Sequence, residues 1–170
     1  MEQILFGAPV AEQLDEISKN AFQKHSKDNE KPHLTAITVG DNPASLLYVT
    51  RKQEKALDLE VEFNWLKLDS NTSQETLEDV ITNESDSTDG LIIQLPLPSH
   101  LNPENAINCI PHEIDVDGLT SHNLGSLFSD TYNLIPATSL AVLELLNFYN
   151  IKTEDKNVVI AGRSRLVSAP

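Results

Sequence analysis

Apolar residues Val10, Leu14, Ile17, Ala21 and Phe22 recur at steps of three, four and one, the stripe of an amphipathic helix over residues 10–25. A polar stretch to Pro32 reads as a loop. HLTAITV (His33–Val39) is β-branched and mostly apolar, stops at Gly40, and precedes Asp41-Asn42-Pro43, a turn followed by a helix start. The pattern then predicts a helix over 43–59, a strand over 61–68, a capping run at 69–73, a helix to about residue 83 and a short apolar strand, DGLIIQL, over 89–95. The order β-α-β-α-β implies parallel strands joined by right-handed crossovers, in an α/β fold. Ligands of such sheets bind beyond the carboxyl ends of the strands, where segments 40–52 and 94–98 fall. Further on, helices are expected over 103–109, 121–127 and 138–149, and NVVIA (157–161) reads as a strand entering Gly162-Arg163-Ser164. A domain boundary is expected near residues 134–140.

Composition narrows the function classes. The chain has 170 residues, 39% hydrophobic and 22% charged, enough for a packed core. No apolar run approaches the roughly 18 residues of a membrane span, and the amino-terminal segment carries acids among its apolar positions, unlike a signal peptide. The expectation is a soluble, cytoplasmic protein with no membrane partner. The single cysteine, Cys109, excludes an internal disulfide. A net charge of −14 opposes binding to nucleic acid. Against that background Arg51-Lys52-Gln53-Glu54-Lys55 is a local basic exception: a solvated helix face, or a spot for an anionic small molecule.

Four features carry candidate chemistry, and each has a plain structural alternative. Tyr48 and Lys52 stand four apart on one helix face and can line one pocket, or form an ordinary surface pair. Gln94 ends an apolar strand, where a buried amide needs partners and Pro96 and Pro98 stop the ladder; it serves the core or a ligand. Asp115-Val116-Asp117-Gly118 sets two acids beside a glycine turn, catalytic or merely an Asx-turn. Strand 157–161 with Gly162, Arg163 and Ser164 has the layout of a nucleotide-binding β-turn-α, though only the first glycine of G-x-G-x-x-G is present and Ser168 stands at the last. Arg163 would suit the 2′-phosphate of NADP. The histidines show no metal-ligand spacing and no serine lies in a G-x-S-x-G elbow, so neither a metal site nor a serine triad is expected.

VGDNPASLLYVTRKQEKA (39–56), DGLIIQLPLP (89–98), DVDGLTSHNLG (115–125) and AGRSRLVSAP (161–170) together closely resemble the bifunctional methylenetetrahydrofolate dehydrogenase/cyclohydrolase family, in that family's order. The resemblance implies a parallel, three-layer folate-binding catalytic domain over 1–135 and the opening segment of a Rossmann-like NADP-binding domain over 136–170. It implies Lys52, Gln94 and Asp117 as catalytic residues. Tyr48, Val49, Thr50, Arg51, Lys52, Ile93, Gln94, Leu95 and Asp117 would form the substrate site, with Tyr48 stacked on the folate and Asp117 anchoring the pterin. Gly162, Arg163 and Ser164 would hold NADP. The implied reactions are NADP-dependent oxidation of 5,10-methylenetetrahydrofolate to the 5,10-methenyl form and its hydrolysis to 10-formyltetrahydrofolate, by a protein that is a homodimer at full length and uses no metal.

The family usually has Pro-Cys-Thr-Pro where this chain has Pro136-Ala137-Thr138-Ser139, and it continues beyond the nucleotide turn, so a truncated family enzyme is expected. The alternative is a non-catalytic folate-binding or scaffold protein that kept the pocket without the cofactor half.

Overall fold

The computed structural model of the chain describes residues 4–25, 31–129, 131, 132 and 134–164. Its centre is a parallel sheet of β1 (His33–Val39), β2 (Glu62–Leu68) and β3 (Gly90–Ile93) in the order β2-β1-β3. Leu34 of β1 faces Phe63 on one side and Gly90 on the other. Because the chain steps outward from β1 to β2 and then back across β1 to β3, two crossovers of the same hand place their helices on opposite sheet faces. Those helices are α2 (Pro43–Asp58) and α3 (Gln74–Ser85).

The side chains follow that layering. Ile37, Val39, Leu91 and Ile93 point to one face, where they pack with Leu77 and Ile81 of α3 and with Ala106 and Ile107 of α4 (Pro103–Asn108). Ala36 and Ile92 point to the other, where Val49 of α2 is fully buried against them. Strand alternation therefore splits HLTAITV between two cores. The helix starts are fixed by polar side chains. Asn42 accepts hydrogen bonds from the Ala44 and Ser45 amides with Pro43 at the first turn, Ser73 accepts from the Thr76 amide, and Asn102 repeats the Asn-Pro device for α4.

Beyond α4, residues 115–118 form a turn docked on β3. The Leu91 amide donates to Ile114 O at 2.8 Å, and the Gly118 amide closes the turn on Asp115 O at 3.0 Å. Asp115 is buried at 1% exposure, and its Oδ2 accepts from the Thr120 amide at 2.8 Å and Asn123 Nδ2 at 2.9 Å. Thr120 in turn caps α5 (Ser121–Phe128) through the Asn123 amide. Gly118 has φ +67°, and a side chain there would also meet Pro136 N at 3.1 Å, so glycine is required twice over. Helix α6 (Ala137–Phe148) starts at this contact; the Tyr149 hydroxyl just past its end exchanges hydrogen bonds with the amide and carbonyl of Phe6, ahead of α1 (Ala8–His25).

The expected elements form within a few residues of their predicted bounds, with one exception. Residues 157–161 are not a strand, and Val158, Val159 and Ile160 are 62%, 90% and 67% exposed. Among the described residues this segment has no neighbouring strand, and β-branched composition alone cannot hold extended backbone without a ladder partner.

Replacing Asp115 by Ala strands the Thr120 amide and the Asn123 side chain, and urea unfolding should show a loss of about 3 kcal/mol, with Asp115→Asn losing less. Burial, followed by the negative charge of Glu78, pushes the Cys109 thiol above the ordinary cysteine value. Its reactive thiolate is therefore scarce at neutral pH. Alkylation by iodoacetamide should run slower than for an exposed peptide cysteine at pH 7.5 and recover only as pH rises further.

Candidate active site

The site lies where strand order reverses. β1 ends into α2 on one face, while its neighbour β3 ends into the loop that leads to α4 on the other, so a crevice opens between their carboxyl ends. Gly40, with φ +78° and its amide bonded to Leu68 O at 2.9 Å, turns the chain from β1 toward Asn42 and the start of α2. Along α2, Ser45, Tyr48, Val49 and Lys52 share one face at steps of three, one and three. Ser45 and Val49 are buried, whereas Tyr48 is 59% exposed. That leaves its ring available to a ligand.

Opposite α2, the Gln94 amide extends the ladder by donating to Ile37 O at 2.9 Å. The Gln94 side chain donates from Nε2 to Leu95 O at 2.9 Å, and its buried Oε1 has no partner. The third wall is the 115–118 turn, which brings Asp117 Oδ2 to 3.6 Å from Lys52 Nζ. Both side chains are about one-third exposed, so the pair is reachable from solvent. Asp115 and Asp117 divide the work of DVDG: the first is sunk into the fold and the second faces the lysine.

Tyr48, Lys52, Ile93, Gln94, Leu95 and Asp117 thus line one cleft of about 330 Å³, completed by Leu119 and by Pro136, Ala137 and Thr138 at the start of α6. Leu119 and Pro136–Thr138 are not among the residues expected there from the sequence, nor is the bond of Ser45 to the Leu95 carbonyl. The close approach of Pro136 to Gly118 accompanies the last group into the cleft, and nothing in local spacing announces it. Three expected residues lie elsewhere. Val49 is core, Thr50 spends its hydroxyl on Leu46 O at 2.9 Å within its own helix, and Arg51 lines a separate groove. The backbone of 49–51 still carries the helix that presents Tyr48 and Lys52.

That second groove, of about 520 Å³, is almost wholly apolar and runs along α2 over Leu34, Ile92 and Val61, away from Gln94 and Asp117. It meets the cleft at Tyr48 and Lys52. All three cations of the basic run border that groove, and two of them also meet a carboxylate: Lys52 faces Asp117, and Lys55 bonds Asp15 of α1 at 2.6 Å, a hydrogen bond that raises its pKa.

Gly162, Arg163 and Ser164 lie apart from the cleft, in a cavity of about 720 Å³ that they line with Ser139, Val142 and Leu143 of α6. A dinucleotide turn needs a strand behind it to fix the backbone amides. Since 157–161 is not a strand, these three residues as placed do not form that cradle; Ser168 lies outside the described residues. No group of three or more His, Cys, Asp or Glu suited to a metal ion occurs among the described residues, and none of their helices is long and apolar enough to cross a membrane.

Residues 5–117 match the family model of the tetrahydrofolate dehydrogenase/cyclohydrolase catalytic domain. The bifunctional protein FolD of Salinibacter ruber is 37% identical over 98% of this chain, which spans 57% of that protein. The mitochondrial bifunctional methylenetetrahydrofolate dehydrogenase/cyclohydrolase of Gallus gallus is 34% identical over 98% of the chain, which spans 50% of it. Among solved structures, FolD of Campylobacter jejuni superposes with a TM-score of 0.92 at 32% identity, covering 98% of this chain and 60% of its own. The Trypanosoma brucei enzyme complexed with NADP and an inhibitor superposes at 0.91 and 28% identity, covering 99% and 59%. The chain therefore spans 50–60% of the length of each of these relatives, and by its family match and its identity to them it belongs to the tetrahydrofolate dehydrogenase/cyclohydrolase family.

Proposed function

We propose that residues 1–135 are the folate-binding catalytic unit of a bifunctional enzyme of one-carbon metabolism. The enzyme as a whole oxidises 5,10-methylenetetrahydrofolate with NADP and hydrolyses the 5,10-methenyl product to 10-formyltetrahydrofolate. The observation that carries the reading is the Lys52 ammonium opposite the Asp117 carboxylate at 3.6 Å, in a cleft shared with Tyr48 and Gln94. A pterin presents adjacent N–H donors on one edge and a flat ring. Asp117 accepts from that edge, and the exposed face of Tyr48 stacks on the ring system.

Hydrolysis is the step this chain's residues can be followed through. Water adds to the cationic methenyl carbon and loses a proton. The bond from that carbon to one ring nitrogen then breaks, and the nitrogen takes a proton as the formyl group forms. The sum is one water consumed and one proton released. Lys52, acting as the neutral amine, takes the proton from the attacking water and returns one to the departing nitrogen. The substrate cation repels a second positive charge in the cleft, which favours handing the proton on, and Asp117 supplies the counter-charge while Lys52 carries it. For the oxidation, NADP supplies the hydride acceptor, and the cleft's contribution is to hold the folate in place. Gly162, Arg163 and Ser164 are the residues proposed to meet the cofactor.

If Lys52 manages the protons, Lys52→Ala should slow decay of the methenyl-folate absorbance by about 100-fold or more, while tetrahydrofolate affinity changes only a few-fold. Lys52→Arg should not rescue, since a guanidinium does not release its proton. A wild type that binds tetrahydrofolate but hydrolyses the methenyl compound no faster than buffer would instead support the non-catalytic folate-binding alternative. Equilibrium dialysis of the 170-residue chain should find no tight NADP binding, as expected of a turn without its strand.

A further inference from the structure

Ser45 sits on the first turns of α2, 5% exposed, on the face that carries Tyr48 and Lys52. Its hydroxyl does not bond back within the helix, as those of Thr50, Thr82 and Ser85 do; it crosses to the loop after β3 and donates to Leu95 O at 3.3 Å. The same carbonyl accepts from Gln94 Nε2 at 2.9 Å. A carbonyl oxygen has two lone pairs, and these two donors use both.

The arrangement decides which end of the Gln94 amide is free. A primary amide can turn over, exchanging its oxygen for its NH2, but only the NH2 can meet the Leu95 carbonyl. The oxygen in that place would face another oxygen. Gln94 Oε1 is thereby left as the unclaimed end, a buried acceptor with no partner on a residue that lines the cleft. A buried acceptor left unsatisfied costs about 1–3 kcal/mol, which a bound donor would recover.

We propose that Ser45 is a positioning residue: through the Leu95 carbonyl it holds Gln94 with its oxygen toward the cleft, so that Gln94 meets an N–H donor, either the Lys52 ammonium or a ring N–H of the substrate. It does not touch substrate itself. Its contribution is to clamp the carbonyl from the α2 side, so that the loop after β3 cannot tilt and release the amide. As a neutral acceptor, Gln94 can bond a cationic partner without adding to the negative charge that Asp117 already places beside Lys52. This inference rests on the folate reading proposed above.

The test is a double-mutant cycle on hydrolysis of 5,10-methenyltetrahydrofolate by the chain, comparing wild type, Ser45→Ala, Gln94→Ala and the pair. Tetrahydrofolate affinity and thermal unfolding are measured alongside; if wild type binds without turnover, the cycle is read in affinity. Ser45→Ala should lower kcat about fivefold, the worth of one neutral hydrogen bond, with KM within about twofold. Gln94→Ala should lower it further, and adding Ser45→Ala to Gln94→Ala should change nothing more. If Ser45→Ala failed to fold, Ser45→Cys, which keeps the volume with a weaker donor, carries the same cycle. Effects that multiply in the double variant would overturn the positioning role while leaving the folate reading intact. A folded wild type that neither binds tetrahydrofolate nor hydrolyses the methenyl compound would overturn both.

Discussion

Parallel pairing of β1 between β2 and β3 is the constraint on which the rest of this structure depends. With β1 in the middle, the chain must leave it in one direction and return past it in the other, and crossovers of one hand then send α2 and α3 to opposite faces. The carboxyl ends of β1 and β3 feed opposite sides of the sheet, and a crevice between them follows from topology before any side chain is chosen. Tyr48 and Lys52 reach that crevice because Asn42 and Pro43 start a helix there. Gln94 reaches it because β3 stops at Ile93.

A crevice alone is not a site. Its third wall comes from outside the βαβ core, in the 115–118 turn, and its placement rests on a buried carboxylate. Asp115 gathers the Thr120 amide and the Asn123 side chain, so the loop after α4, the turn and the cap of α5 are tied at one point. Two residues later Asp117 is free to face Lys52. Gly118 then lets Pro136 pack against the turn, which brings the start of α6 to the cleft's edge. One segment thus joins the sheet, the lysine and the following helix.

Much of this was legible in the sequence, for identifiable reasons. Strand alternation in HLTAITV, the Asn-Pro helix starts and the Tyr48-Lys52 spacing are local properties, and local properties survive folding. What could not be read depended on which surface a side chain would meet. Val49 belongs to the same five-residue run as Tyr48 and Lys52, but its direction on α2 sends it into the core against Ala36 and Ile92. Asp115 and Asp117 look alike in the sequence and differ only in which is covered. Ser45 reads as a helix-start serine until Leu95 O is found across the crevice. NVVIA is as β-prone as any segment of the chain, yet a strand is a property of a pair, and the described residues offer it no partner.

The central claim is that folate occupies the cleft bounded by Tyr48, Lys52, Gln94 and Asp117, and not the larger apolar groove that meets it along α2. The most direct measurement is an amide chemical-shift titration of the ¹⁵N-labelled chain with tetrahydrofolate. The account predicts that the largest shifts fall on Tyr48, Lys52, Gln94, Leu95 and residues 116–119, and that Asp117→Ala abolishes them. Shifts centred instead on Leu34, Val61 and Ile92, or shifts that survive Asp117→Ala unchanged, would contradict it.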